Sequence, residues 1–129
     1  MLMVSSTVRI FLATQPTDLR RSFDRLAGEV EHFLGHDPLS GDLYAFRNRR
    51  GDRMKILYFD RSGWCLWYKR LEAGTFWFPA ASERSVAVSA ADLTLLLEGI
   101  DVEGVRRRKR FTLRRPAVVR DGVAVAVPA

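Results

Sequence analysis

Between residues 42 and 79, short runs of aromatic and branched residues alternate with polar, glycine-bearing breaks, and this spacing predicts β-strands over 42–48, 53–60, 64–71 and 75–78. The breaks are Arg49-Arg50-Gly51-Asp52, Arg61-Ser62-Gly63 and Ala73-Gly74. Each holds a glycine free to take positive φ, which favours tight antiparallel reversals over long parallel crossovers. The expected sheet is an antiparallel meander. Alternation sets Met54, Ile56 and Tyr58 against Leu57 and Phe59, and Leu66 and Tyr68 against Cys65, Trp67 and Leu71. Ten of the 14 aromatic residues fall in this stretch, too many for one buried face, so both faces should be apolar in places. One packs under helices. The other is covered by the chain ends or offered to a partner, and the covered arrangement is preferred.

Outside the meander the period changes. Residues 8–13 alternate weakly and read as an opening strand. Pro16-Thr17-Asp18 then marks a helix start, with the Thr17 hydroxyl as cap and Asp18 at the positive end of the helix dipole. Leu19, Phe23, Leu26, Val30 and Phe33 recur at steps of four and three, one apolar stripe that would lie on the sheet. Arg20 with Asp24, and Arg25 with Glu29, stand four apart and are expected to pair across solvent. Gly35 ends this helix. After a loop over 79–85, Val86-Ala87-Val88 reads as a short strand. Ser89 and Asp92 form a capping-box-like pair opening a helix that runs to Glu98 and buries Leu93, Leu96, Leu97 and Ile100 before Gly99 stops it.

The fold expected is therefore α+β: an antiparallel β-meander sheet with one long N-terminal helix and one short C-terminal helix packed on it. A single domain spans 1–104. Residues 105–129 form a basic tail whose Val-Ala repeat over 123–127 has too little variety for a core, so it is expected to be disordered when free, with addition of a terminal strand to a sheet edge as the alternative.

Charge sharpens this division. The formal net charge of +6 is carried almost wholly by the tail: residues 1–104 hold 13 Lys and Arg against 14 Asp and Glu, whereas 105–115 hold seven cations and no acid. A nearly neutral domain with a cationic extension points to an anionic partner engaged by Arg106, Arg107, Arg108, Lys109, Arg110, Arg114 and Arg115. A second group, Arg47, Arg49, Arg50, Arg53 and Lys55, surrounds the first hairpin tip, where a two-stranded ribbon can meet phosphates. Against that stands an ordinary solvated tip, with Asp42, Asp52 and Asp60 nearby in sequence.

Catalytic and metal chemistry find little to stand on. The single Cys65 lies in an apolar strand, which excludes a disulfide framework within one chain and reads as a small core residue in a reducing compartment. His32 and His36 are four apart, but Gly35 and Asp37-Pro38 end the helix between them, so His36 should point elsewhere and no metal site is expected. Tyr68 could in principle attack a phosphodiester, yet no histidine pair or acid cluster is placed to hold the metal such chemistry needs. There is no Gly-rich phosphate loop and no nucleophile-elbow pattern, so an enzyme is not expected and no cofactor is implied. No apolar run reaches the length of a spanning helix and residues 1–6 are too short for a signal peptide, so the chain should be cytoplasmic.

Five runs carry a resemblance. Asp37-Pro38-Leu39-Ser40-Gly41, the stretch from Phe46 through Arg50-Gly51-Asp52-Arg53 to Tyr58, and Cys65-Leu66-Trp67-Tyr68-Lys69-Arg70-Leu71-Glu72 are similar to the accessory protein, Orf2-like or TnpB, of the bacterial insertion sequence family sixty-six. The earlier Pro16-Thr17-Asp18-Leu19-Arg20-Arg21-Ser22-Phe23-Asp24 and the later Leu96-Leu97-Glu98-Gly99-Ile100-Asp101 match the same family, so the resemblance covers roughly 7–102. It departs at Arg25, where a glycine is common, and after Val102. The resemblance implies a role in transposition beside a separate, larger transposase that carries the catalytic acids, and it transfers no catalytic residue. Two functions follow. One is a DNA-associated accessory module that holds DNA through the tail and the hairpin. The other is a protein–protein adaptor whose aromatic sheet face binds the transposase without touching DNA.

Overall fold

Beside the first strand of the meander lies the chain's first apolar run, and it lies there in parallel. In the computed structural model, which describes residues 7–99, 118–120 and 123–125, β1 (Ile10–Ala13) pairs with β2 (Leu43–Arg47), Ile10 against Leu43 and Leu12 against Ala45. From β2 the chain does run as a meander. β3 (Arg53–Asp60) and β4 (Gly63–Arg70) follow antiparallel, with Ile56 between Ala45 and Trp67. β5 (Ser85–Val88) returns to the far side of β1, antiparallel, giving the order β4-β3-β2-β1-β5. The sheet is thus mixed, not a pure meander.

A parallel neighbour needs a crossover, and the first helix supplies it. It follows β1 and so is not the chain's N-terminal element: α1 (Phe23–Gly28) runs directly into a π-helical segment, Glu29–Leu34, that ends at left-handed Gly35 with φ 73°. Leu26, Val30 and Leu34, four apart, are buried on the sheet with Leu19 against Phe11, Tyr44, Phe46 and Leu57. The helix starts six residues later than Thr17 because tertiary bonds hold the preceding segment. The Thr17 N–H donates to the Arg47 carbonyl at 2.8 Å, Lys55 Nζ donates to the Arg21 carbonyl at 3.0 Å, and the Arg20 and Arg21 N–H groups close a local turn on Asp18 instead of entering a helical ladder. Phe23 consequently falls in the first turn and is 40% exposed, outside the buried stripe. Of the expected surface pairs, Arg20 instead meets Asp18, and Glu29 meets Arg21 at 3.2 Å.

The opposite face is also covered. Here α2 (Ala90–Leu97), capped by the Ser89 side chain accepting from the Asp92 N–H at 3.0 Å, buries Leu93, Leu96 and Leu97 against Ile10, Leu12, Leu43, Ala45, Met54 and Ile56. Residues 75–78 are not a fourth meander strand. To reach β5 on the far side of β1 the chain crosses this face, so Phe76 and Phe78 are core fillers between sheet and helix rather than ladder residues. Their segment is pinned to the first hairpin by Phe76 N–H to the Gly51 carbonyl at 2.7 Å. Gly51 is needed there: φ is +79°, and a Cβ would lie 3.3 Å from the Thr75 Cβ. At the second reversal the positive φ falls on Arg61 (44°) and not on Gly63.

The covered arrangement therefore holds for both faces. In the tail, β6 (Val118–Arg120) and β7 (Val123–Val125) pair antiparallel, Val118 against Val125. The cationic run Arg106, Arg107, Arg108, Lys109, Arg110, Arg114 and Arg115 lies outside the described residues, as does Ile100. Cys65 is free and half-buried opposite Tyr58, less enclosed than a core residue. No helix among the described residues is long and apolar enough to cross a membrane.

Candidate nucleic-acid interface

The β2–β3 hairpin tip, the loop before α1 and β4 together enclose an open groove of about 760 Å³. Its walls are laid out by the turn itself. Asn48 Oδ1 accepts from the Arg53 N–H at 3.0 Å and its Nδ2 donates to Asp52 at 2.7 Å, closing the reversal and leaving Arg49 and Arg50 at the apex, both exposed. Arg20, Arg49, Arg50, Arg53 and Lys55 line the groove against two carboxylates, Asp18 and Asp52, so its balance is positive.

Those carboxylates are tied locally. Arg20 donates to Asp18 through Nε and Nη2, the latter at 2.8 Å, and also through its backbone N–H, holding the Asp18 carboxyl well below the usual carboxylate range. The same contact raises Arg20. The Asn48 amide, and after it the charge of Arg50 and Arg53, lowers Asp52. Both acids are thus anionic throughout the neutral range. Among the described residues Arg49 and Arg50 have no ion-pair partner.

The five hairpin cations expected from the sequence part company here. Arg49, Arg50 and Arg53 are exposed in the groove. Lys55 also lines it but is buried, its ammonium spent on the Arg21 carbonyl and set 5.1 Å from the Tyr68 ring centre. Arg47 does not join them. Strand alternation turns it to the α2 face, where its guanidinium lies 5.4 Å from the Phe78 ring centre, Nη2 reaches the Thr14 carbonyl at 3.4 Å, and burial pushes its pKa down. Its Nε is buried with no hydrogen-bond partner among the described residues.

Sequence reading missed Arg20 and Asn48 as groove residues and weighed Tyr68 only as a nucleophile. The register pairs Tyr68 with Lys55, and its hydroxyl accepts from Arg53 Nη1 at 3.2 Å. The signal that could have found it was its place on the Leu66–Tyr68 face, two residues from the end of a strand. The two histidines separate as expected. His36 lies past the helix, ring against Phe11 at 4.2 Å and Nε2 3.1 Å from the Ser85 hydroxyl, while His32 stays exposed beside Glu31. Among the described residues no group of three or more His, Cys, Asp or Glu side chains could hold a metal.

A five-stranded mixed sheet covered by a helix on each face, with a cationic groove at one hairpin, defines a small α+β protein that presents charge on a rigid turn. The model of the IS66 Orf2-like protein family matches residues 8–107, and the chain belongs to that family, an accessory to IS66 transposition. It is similar to two proteins of Sinorhizobium fredii (strain NBRC 101917 / NGR234), both named as uncharacterized. With y4hO it shares 43% identity over 101 residues, 78% of this chain and 88% of that protein. With y4jC it shares 38% over 115 residues, 89% and 96% of the two chains. No solved structure matches it.

Proposed function

We propose that the protein is a non-catalytic accessory of IS66 transposition that holds the DNA backbone, without reading sequence, beside the element's own transposase. The contacts are the tail cations Arg106, Arg107, Arg108, Lys109, Arg110, Arg114 and Arg115, joined by Arg49, Arg50 and Arg53 of the groove. One observation carries the reading: guanidinium groups projecting from a closed turn, two of them without ion-pair partners among the described residues, in a groove whose cations outnumber its acids. Phosphate oxygens satisfy such groups with paired N–H donors. Family membership supplies the context of DNA mobilisation.

The adaptor reading rested on an aromatic sheet face left open for the transposase. Against it, each face of the sheet carries a helix and Phe76 and Phe78 are core residues; the aromatic side chains of β4, Trp64, Trp67 and Tyr68, are left half-buried or exposed.

The test is a salt titration of affinity for two unrelated duplexes, using the full chain and a full-length variant with the seven tail cations changed to glutamine. Each neutralised phosphate adds about 0.9 to the slope of log affinity against log salt. The wild-type chain is expected to bind both duplexes alike, with the variant losing most of that slope. Affinity weaker than about 10⁻⁴ M at physiological salt for both duplexes would refute the reading.

A further inference from the structure

Tyr68 is one of three large hydrophobic residues that stand exposed among the described residues, at 49%, and it alone of the three lines the groove. β4 is an edge strand among the described residues, with β3 as its one neighbour there. The ring is nonetheless fixed in direction. Arg53 Nη1 holds its hydroxyl at 3.2 Å, and Lys55 Nζ, itself anchored on the Arg21 carbonyl, stands 5.1 Å from its centre. A ring held by two cations, half exposed in a groove that Arg49 and Arg50 also line, is an oriented stacking surface whose ordering cost is met in part before any ligand arrives.

The uncharged and acidic groups around it are already engaged. The Asn48 amide bonds within the turn through both its oxygen and its nitrogen, and Asp18 is held by Arg20. What remains is an aromatic face and positive charge, the combination by which proteins hold unpaired strands whatever their sequence. In a duplex the bases stack on one another and leave none for the ring.

We infer that the groove takes an unpaired nucleotide of a single-stranded nucleic acid, its base stacked on Tyr68 and its flanking phosphates held by Arg49 and Arg50. This rests on the backbone-binding reading above and adds a ligand class to it.

Wild-type chain, Tyr68→Ala and Tyr68→Phe are titrated at fixed salt against a short oligothymidylate, a short oligouridylate and a duplex, with thermal melts of all three proteins. Tyr68→Ala should weaken single-strand binding about 5- to 150-fold while leaving duplex affinity within about twofold, and Tyr68→Phe should stay within about threefold throughout. Tyr68 dependence with one sugar and not the other identifies DNA or RNA as the ligand, and either result supports the inference. Undiminished binding of both single strands by Tyr68→Ala overturns it, as does an equal loss on duplex. Should Tyr68→Ala fail to fold, the wild-type chain is photo-crosslinked to a 5-iodouracil oligonucleotide and mapped. Attachment at Tyr68 supports the inference and attachment only elsewhere overturns it. Salt-dependent duplex binding with no Tyr68 effect removes this inference alone, whereas a wild-type chain that binds neither form removes the backbone reading as well.

Discussion

Asp42 is the side chain through which the parallel junction of the sheet can be tested. It stands just before β2, as Arg9 stands just before β1, and its carboxylate accepts from the Arg9 backbone N–H at 3.0 Å, Arg9 Nε at 3.1 Å, Arg9 Nη2 at 2.9 Å and the Ser40 hydroxyl at 3.1 Å. The carboxylate is 8% exposed and the guanidinium 70% exposed, so the two ends of this contact differ in worth. An ion pair to so exposed an arginine contributes about 0–1 kcal/mol. A backbone N–H at a strand start left without its acceptor costs about 1–3 kcal/mol. Asp42→Ala loses both together with the Ser40 contact and should cost about 2–4 kcal/mol, whereas Arg9→Ala keeps the backbone bond and should cost less than about 1. Asp42→Asn, which retains an acceptor oxygen, should fall between them.

The pH dependence of Asp42 has a defined sign. Burial pushes its pKa up, but the Arg9 N–H, the Arg9 side chain and the Ser40 hydroxyl outweigh it and the folded-state pKa is lowered. A depressed folded pKa contributes stability fully present above the unfolded value of about 3.9 and lost as pH falls through the folded one. The gap between wild type and Asp42→Asn is therefore constant near neutrality and narrows in acid. Urea unfolding followed by tryptophan fluorescence measures it. With a urea slope of about 2 kcal/mol per molar, Asp42→Ala should move the midpoint down by roughly 1–2 M. If Arg9→Ala proves as costly as Asp42→Ala, or Asp42→Ala costs under about 0.5 kcal/mol, the carboxylate does not hold the two strand starts together.

Three further outcomes follow from the packing and the exposed hairpin tip. Leu26→Ala removes a fully buried side chain and should cost about 2.7–5 kcal/mol, whereas Phe23→Ala, at a 40% exposed position, should cost clearly less, about 1–2; equal losses in urea titrations would contradict the helix placement. Gly51→Ala places a Cβ at φ +79° and 3.3 Å from Thr75, and a loss of about 1–3 kcal/mol is expected, visible as a lowered melting temperature, with a neutral result refuting the close approach. Replacing both Arg49 and Arg50 with alanine should leave the melting temperature unchanged, since both are exposed, while lowering the duplex salt slope by about 1–2, and an unchanged slope would exclude the hairpin tip from the contact.

Much of the molecule was legible in its residues because the deciding interactions are local. The Ser89–Asp92 cap, the stop at Gly35, the antiparallel register of β2, β3 and β4 and the short β5 all follow from spacings of a few residues. Arg49 and Arg50 at an exposed tip follow from the same turn chemistry.

Only the tertiary structure decided what depends on distant partners. Whether residues 8–13 pair with the meander in parallel or not at all is set by the covering helix and by Arg9 meeting Asp42 across 33 residues, and no window along the chain contains both. Thr17 and Asp18 form a sound local helix start, yet the Arg21 N–H that would close its first turn on the Thr17 carbonyl goes to the Asp18 carbonyl instead, in a segment tied to the hairpin by the Arg47 carbonyl and the Lys55 ammonium. Arg47 and Lys55 look alike in sequence among the hairpin cations. Strand alternation sends one to each face, and packing then buries Lys55 and half-buries Arg47, so that the charge left for a partner comes from Arg49, Arg50 and Arg53, beside a tyrosine on the sheet's edge strand.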